Sequence, residues 1–314
     1  LPASRRSAVI KAILVLTMLV WGGSFIASSI GLDGLYPVEL ATFRFVIAVP
    51  ILLIFTILFK GVGSLKIDLK DLPVLVVMAL TGVSLQYISQ FIGMTYTTVT
   101  NTALLINMGA IYVVLGSALI LKEKIGIDNI FGVFLAFIGA VFVATKGNFA
   151  FEPHLLGDIM IMFCALMWAV YIMTGTKLAG KYSVLTQLNY IFIIGLILLL
   201  PVYAVTPHHA IEEITSLTWA CLLYLAIVCS VIAYFIFNYA IISIGPSQTA
   251  IYQYFEPLFA IVFAILLLSE PFTLIIGIGA LLIIIGVAMA DNNLKLIGHF
   301  IRSDDKKASG QNEH

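Results

Sequence analysis

GPSQTAIYQYFEPLFAIVFAILLLSEP, residues 245–271, decides how the chain is read. The stretch is apolar and exceeds the roughly 20 residues a helix needs to span a bilayer. Its first half nevertheless carries Gln248, Thr249, Tyr252, Gln253 and Glu256 at helical spacing along one broad face, and the residues after Pro257 are almost purely hydrocarbon. A carboxylate at bilayer depth is costly and has to face protein or water. Pro257 has no amide hydrogen to offer the Gln253 carbonyl, so a backbone acceptor is freed at the same depth. Unsatisfied backbone inside a membrane is tolerated where it lines a cavity. The stretch is therefore expected to form one wall of a polar chamber within a membrane protein.

The rest of the chain fits that setting. Of 314 residues, 61% are hydrophobic and only 10% charged, against roughly 25% charged in an ordinary soluble domain. Sixteen basic residues balance sixteen acidic ones, which gives no electrostatic case for nucleic acid. Cys164, Cys221 and Cys229 all fall in apolar stretches and read as buried thiols rather than a disulfide framework. Ten apolar spans are expected, over 10–31, 37–59, 72–93, 98–121, 127–145, 157–177, 184–205, 217–240, 247–268 and 273–290. The first, preceded by Arg5 and Arg6, is too long for the apolar core of a signal peptide and is read as a retained span. Residues 292–314 are polar and read as a tail.

Charge placement orients these spans. With the N-terminus inside, fourteen of the sixteen Lys and Arg residues collect on one side, only Lys146 falls in an outer loop, and Arg44 lies within the second span. Positive charge marks the cytoplasmic face. An integral protein of a prokaryotic cytoplasmic membrane, with both termini in the cytoplasm, is the expected localisation.

The chain also repeats itself. An offset of 147 carries Trp21 onto Trp168, Tyr87 onto Tyr234, Ala103 onto Ala250, Glu123 onto Glu270, Gly132 onto Gly279 and Gly139 onto Gly286. One constant offset over such a length marks an internal duplication. Each half holds five spans, an odd number, so the halves must cross the membrane in opposite senses. Inverted repeats of this kind are a transporter signature, with the site near the midplane between them. The expected fold is thus all-α integral membrane, ten transmembrane helices as two inverted five-helix repeats around a central cavity. The repeats occupy 1–147 and 148–291, followed by the tail 292–314.

Here the sequence resembles a known family. Trp21-Gly22-Gly23-Ser24-Phe25 in span one, Arg44 in span two, Glu256-Pro257 in span nine, Glu123 and Glu270 closing spans four and nine, and the glycine-bearing spans five and ten are similar, in order and repetition, to the drug/metabolite transporter superfamily, in its EamA-like ten-helix branch. The resemblance covers essentially the whole chain. It implies a basket of spans one to four and six to nine around a cavity, with five and ten peripheral. It also implies export or exchange of small metabolites such as amino acids without a bound cofactor. Glu256 and Pro257 depart from the internal symmetry, since their counterparts are Gly109 and Ala110.

Polar stripes locate the same cavity independently. Thr17, Trp21, Ser24 and Ser28 share a face of span one; Gly82, Gln86, Ser89, Gln90 and Gly93 share one in span three; Ser230, Tyr234 and Asn238 share one in span eight. Span six adds Trp168 and Tyr171, and span four adds Asn101 and Asn107. Single residues of this kind can simply join helices by hydrogen bonds worth about 0.6 kcal/mol. Several stripes together favour a cavity, because joining helices does not require amides, aromatics and a carboxylate at similar depth. The expected substrate-binding set is Trp21, Ser24, Gln86, Gln90, Asn107, Trp168, Tyr171, Tyr234, Tyr252, Gln253 and Glu256. Such a lining suits a polar or zwitterionic solute with an apolar body. Glu256 is expected either to exchange a coupling proton or to meet a substrate ammonium, with a structural hydrogen bond as the alternative.

Other conspicuous residues carry different expectations. Side chains on a helix lean toward its own N-terminus, so Arg44 should lean away from Glu256 and reach the outer mouth or Asp33, rather than clamp a substrate. Gly132, Ala136, Gly139, Gly279 and Gly286 read as seams for close helix packing. His208, His209, Glu212 and Glu213 lack a third ligand cluster, and no metal is expected there. Absence of nucleophile, metalloprotease or paired-aspartate motifs argues against an enzyme. A carrier, exporter or exchanger, is the expected function, with a channel-like facilitator or a drug and toxic-compound efflux protein as the alternative. The expected partners are a small-molecule substrate, with a coupling proton as an option, membrane lipid, and a second copy of the chain in an optional homodimer.

Overall fold

The computed structural model describes residues 3–97, 99–145, 154–268 and 273–291. Among them every regular element is helical. In chain order these are α1 (Ala3–Gly34), α2 (Pro37–Lys60), α3 (Leu69–Tyr96), α4 (Val99–Ile106 and Met108–Leu119), α5 (Ile127–Thr145), α6 (Leu155–Gly175), α7 (Val184–Val205), α8 (Ser216–Ile244), α9 (Pro246–Ala250, Ile251–Tyr254 and Phe255–Leu268) and α10 (Leu274–Ala290). Glu270, Lys146, Glu152 and the tail after Asp291 lie outside the described residues.

Among the described residues eight helices, α1 to α8, are long and apolar enough to cross a membrane. Against ten expected spans, two segments differ. α9 is interrupted by a 3₁₀ turn at Ile251–Tyr254, and Pro257 falls in the first turn of the piece that follows. This is where proline is tolerated, because the first helical amides have no carbonyl to bond. α10 is a continuous apolar helix of 17 residues, just short of a full crossing.

Polarity is inverted relative to a soluble protein. Leu58, Leu119 and Leu266 are 72–80% exposed, while Arg44, Gln86, Asn107, Gln253 and Glu256 are buried. Apolar side chains outside and polar ones inside is the arrangement lipid demands. Small hydroxyls in the interior mostly turn back on their own helix: Thr17 donates to the Ile13 carbonyl and Ser89 to that of Leu85. The larger amides and aromatic rings remain to meet across helices.

Where they meet, the 147-residue offset reappears in space. Phe45 packs edge-on against Phe192, ring centroids 5.1 Å apart, and Trp21 against Trp168 at 5.7 Å. The hydroxyls of Tyr87 and Tyr234 are 2.9 Å apart. α3 and α8 each depart from α-helical bonding over matching positions, with π turns at Leu80–Ser84 and Tyr224–Ile232. A π turn loosens the backbone ladder, and short π segments are frequent at functional sites. Both turns lend a carbonyl to an aromatic side chain: Tyr234 Oη donates to Gly82, and Trp21 Nε1 donates to Cys229 at 3.1 Å.

The glycine seams join α5 to α10. A methyl group added at Gly139 would lie 2.6 Å from the Gly279 carbonyl oxygen, and one added at Gly279 would lie 2.8 Å from that of Gly139. Gly132 faces Gly286 in the same crossing.

The bundle is tied at both ends. Beside the start of α1, Lys11 pairs with Asp291 at 2.6 Å, Tyr252 donates to Asp291, and Ser247 donates to Glu123. At the opposite end, Asn101 donates to Asp158, and buried Glu39 accepts from the Tyr36 and His209 amides and meets His209 Nδ1 at 2.9 Å. Glu39 was not singled out by its sequence context. No group of three metal-ligating side chains occurs among the described residues.

Candidate functional site

Seven helices converge on one chamber. α1 supplies Trp21, Ser24 and Phe25; α2 supplies Arg44; α3 supplies Gln86, Tyr87 and Gln90; α4 supplies Ile106 and Asn107; α6 and α8 supply Trp168 and Tyr234; and α9 supplies Gln253 and Glu256. The approach of α9 to α1 depends on Gly22, where an added methyl would stand 2.9 Å from the Glu256 carbonyl oxygen. α4 breaks at Asn107, between its two pieces, so the polar side chain sits at an interruption just as Gln253 and Glu256 do.

One face of the chamber is aromatic. Trp21 lies 5.9 Å from Tyr234 and 5.0 Å from Phe237, and Trp168 lies 5.5 Å and 5.4 Å from the same two rings. Edge-to-face and tilted pairs of this kind are worth about 0.5–1.5 kcal/mol each beyond their burial. They hold the indoles as a rigid platform.

The remainder is polar and incompletely bonded. Asn107 Oδ1, Trp168 Nε1, Gln253 Oε1 and Glu256 Oε1 are buried without a hydrogen-bond partner. Buried polar atoms without partners are rare in folded proteins, and their concentration in one place marks a site built to receive something. The solvent-fillable volume is about 50 Å³, room for a few waters. A metabolite enters only if the walls move apart.

A second cavity, about 240 Å³, lies between α4, the start of α5, the end of α8, the start of α9 and the end of α10. It is larger, but it holds none of the aromatic platform and none of the four unpartnered atoms. The chamber is the better candidate on chemistry.

Of the eleven residues singled out from the sequence, nine line the chamber: Trp21, Ser24, Gln86, Gln90, Asn107, Trp168, Tyr234, Gln253 and Glu256. Tyr171 and Tyr252 do not. Tyr171 stacks behind Trp168 at 5.0 Å and donates to Asn238 Oδ1 at 2.7 Å, so it buttresses the platform from outside. Tyr252 sits in the 3₁₀ turn, where three residues per turn rotate it off the face an α-helix would give it. Its hydroxyl reaches Asp291 at the end of the bundle.

Arg44 departs from one of its two expected placements. It does not reach Asp33, which is exposed; Nε donates to Ser230 Oγ at 2.7 Å, and the guanidinium lies 4.3 Å over the Tyr87 ring. The π turn of α8 explains the redirection, because Ser230 itself bonds the Leu225 carbonyl five residues back and is presented toward α2. Tyr87 and Phe25 are further lining residues that sequence inspection passed over. Tyr87 was recoverable as the 147-residue counterpart of Tyr234.

Comparison with known proteins adds a separate line. The sequence matches the EamA-like transporter family over residues 9–145 and again over 155–290. It is 37% identical over 277 residues to an uncharacterized transporter of Archaeoglobus fulgidus, covering 88% of this chain and 94% of that protein. It is 26% identical over 276 residues to a "probable terminal-alkyne amino-acid exporter" of Streptantibioticus cattleyicolor, covering 88% of this chain and 91% of that one. A solved crystal structure superposes with a TM-score of 0.74 at 16% identity, over 93% of this chain and 99% of that chain, a likeness of fold alone.

Proposed function

The chain belongs to the EamA-like transporter family, and from that premise we propose that it is an alternating-access carrier, exporting or exchanging small polar or zwitterionic metabolites such as amino acids across the cytoplasmic membrane. Residues 147 apart meet across the chamber, Tyr87 with Tyr234 and Trp21 with Trp168, and this meeting carries the proposal. A site whose walls come in equivalent pairs from two halves is one that each half can open toward its own side. We read the halves, 1–147 and 148–291, as inverted five-span repeats, with α9 and α10 completing ten spans. Fourteen of sixteen basic residues on the side of the N-terminus support both termini in the cytoplasm.

Amino acids are the first solutes to test because a relative 26% identical over 88% of this chain is described as a probable terminal-alkyne amino-acid exporter, and because the lining offers both amide and aromatic surface. Purified protein in liposomes preloaded with unlabelled phenylalanine should take up labelled phenylalanine transiently and saturably. Uptake that rises linearly with concentration, equal with and without preloading, would favour a channel-like facilitator and remove the carrier.

A further inference from the structure

Two ionisable side chains of opposite sign face the chamber without being paired to each other. Glu256 is 6% exposed, and Arg44 is 3% exposed. Both line the same cavity, and no ion pair joins them. Ionising a buried group without a counter-charge is costly, and keeping the two groups apart forgoes the pairing that would lower that cost. The arrangement becomes favourable when something carrying both charges sits between them.

Three of the four unpartnered atoms in the chamber are acceptors. Glu256 Oε1, Gln253 Oε1 and Asn107 Oδ1 are all buried there without a donor. Asn107 cannot turn its amide to offer the nitrogen instead, because Nδ2 is committed to the Ala103 carbonyl at 2.6 Å. Three acceptors, one of them a carboxyl oxygen, match the three N–H donors of an ammonium group. Arg44 offers the complement. Its guanidinium has five donors, of which Nε–H is used on Ser230 while the planar face rests on Tyr87. The terminal nitrogens have the fork geometry that takes a carboxylate in two parallel bonds.

We propose that the chamber selects zwitterions: the ammonium group binds Asn107, Gln253 and Glu256, the carboxylate binds Arg44, and the apolar body lies on Trp21 and Trp168. This rests on the carrier reading of the chamber and adds the charge pattern that its substrate must have. A solute with one charge leaves the other protein charge unmet, so discrimination comes from desolvation as much as from contact.

The test is a charge series on one body, with affinities measured by calorimetry on the full chain in lipid nanodiscs. Phenylalanine has both charges, phenethylamine lacks the carboxylate, and 3-phenylpropionate lacks the ammonium. Wild-type protein should bind phenylalanine about ten- to a hundred-fold more tightly than either analogue, the scale of a charged hydrogen bond made or lost. Arg44→Gln should bring phenylalanine down to the affinity of phenethylamine without weakening phenethylamine. Glu256→Gln should bring it down to that of 3-phenylpropionate without weakening that acid. Should either variant fail to fold, the wild-type series decides alone, and Arg44→Lys supplies a charge-preserving substitute. Equal affinity of phenylalanine and either analogue overturns the proposal, as does a wild type that binds none of the three. Liposomes that exchange phenethylamine saturably while phenylalanine is ignored would keep the carrier and discard the zwitterion. Absence of saturable exchange for these three and for a metabolite panel would discard both.

Discussion

The two halves share their framework and differ in their chemistry. Positions that set how helices approach are the same in both: Trp21 and Trp168, Phe45 and Phe192, Tyr87 and Tyr234, Gly132 and Gly279, Gly139 and Gly286. Positions that face the chamber with amide or charged side chains are not. Arg44, Gln86, Gln90 and Asn107 correspond to Ile191, Ala233, Phe237 and Tyr254, while Gln253 and Glu256 correspond to Ile106 and Gly109. Packing against lipid constrains both copies alike, so the scaffold stays paired. A solute with two unlike ends does not have the symmetry of the protein, so the groups that touch it are free to diverge. The first half brings the guanidinium and the second half the carboxyl.

If the framework is truly shared, equivalent lesions in the two halves should cost the same. Gly139→Val and Gly286→Val each drive a side chain into the backbone carbonyl of the glycine it faces, Gly279 and Gly132, at 2.6 Å for the first carbon alone in both cases. Each should destabilise by about 3 kcal/mol, the upper part of the range for overpacked sites, seen as matching falls in melting temperature. Tolerance of one and not the other would mean that the α5–α10 crossing is not a symmetric seam.

A smaller effect sharpens the comparison, because even a symmetric pair can be bonded unequally. Tyr234 Oη serves both Tyr87 and the Gly82 carbonyl, whereas the Tyr87 hydroxyl meets only Tyr234. Tyr234→Phe leaves a buried carbonyl of the π turn unpartnered and should cost about 1–3 kcal/mol. Tyr87→Phe leaves that carbonyl satisfied and should cost less, about 0.5–1.5 kcal/mol. Thermal unfolding of the two variants side by side checks the order. The reverse order would place the critical bond elsewhere.

Much of this was readable from the sequence because membrane burial imposes a strong pattern. Eight of the ten expected spans follow from apolar runs, the duplication from one constant offset, and nine chamber residues from stripes of polar side chains. What a stripe gives is a face, and it gives it only while the helix stays regular. Tyr252 left its face because Ile251–Tyr254 winds as a 3₁₀ turn. Tyr171 kept its face but found Asn238 there instead of the chamber. Arg44 was misdirected for a related reason: the rule that side chains lean toward their helix's start says nothing of a serine brought within reach by a π turn in another helix. Such turns have no sequence signature of the kind proline gives a break. Glu39 was hidden by its location, two residues into a helix, where an acidic residue is ordinary; its partner His209 lies 170 positions away.

The central claim is that the chamber between the halves opens to each side of the membrane in turn, and a thiol placed in it tests this most directly. Ser24 lines the chamber and bonds only the Trp21 carbonyl of its own helix, so Ser24→Cys, in a background with Cys164, Cys221 and Cys229 replaced, puts one reactive group at the site. In oriented vesicles membrane-impermeant thiol reagents should modify this cysteine from either face, and phenylalanine should slow both reactions. Modification from one face only, with the other silent under all loading conditions, would contradict alternating access.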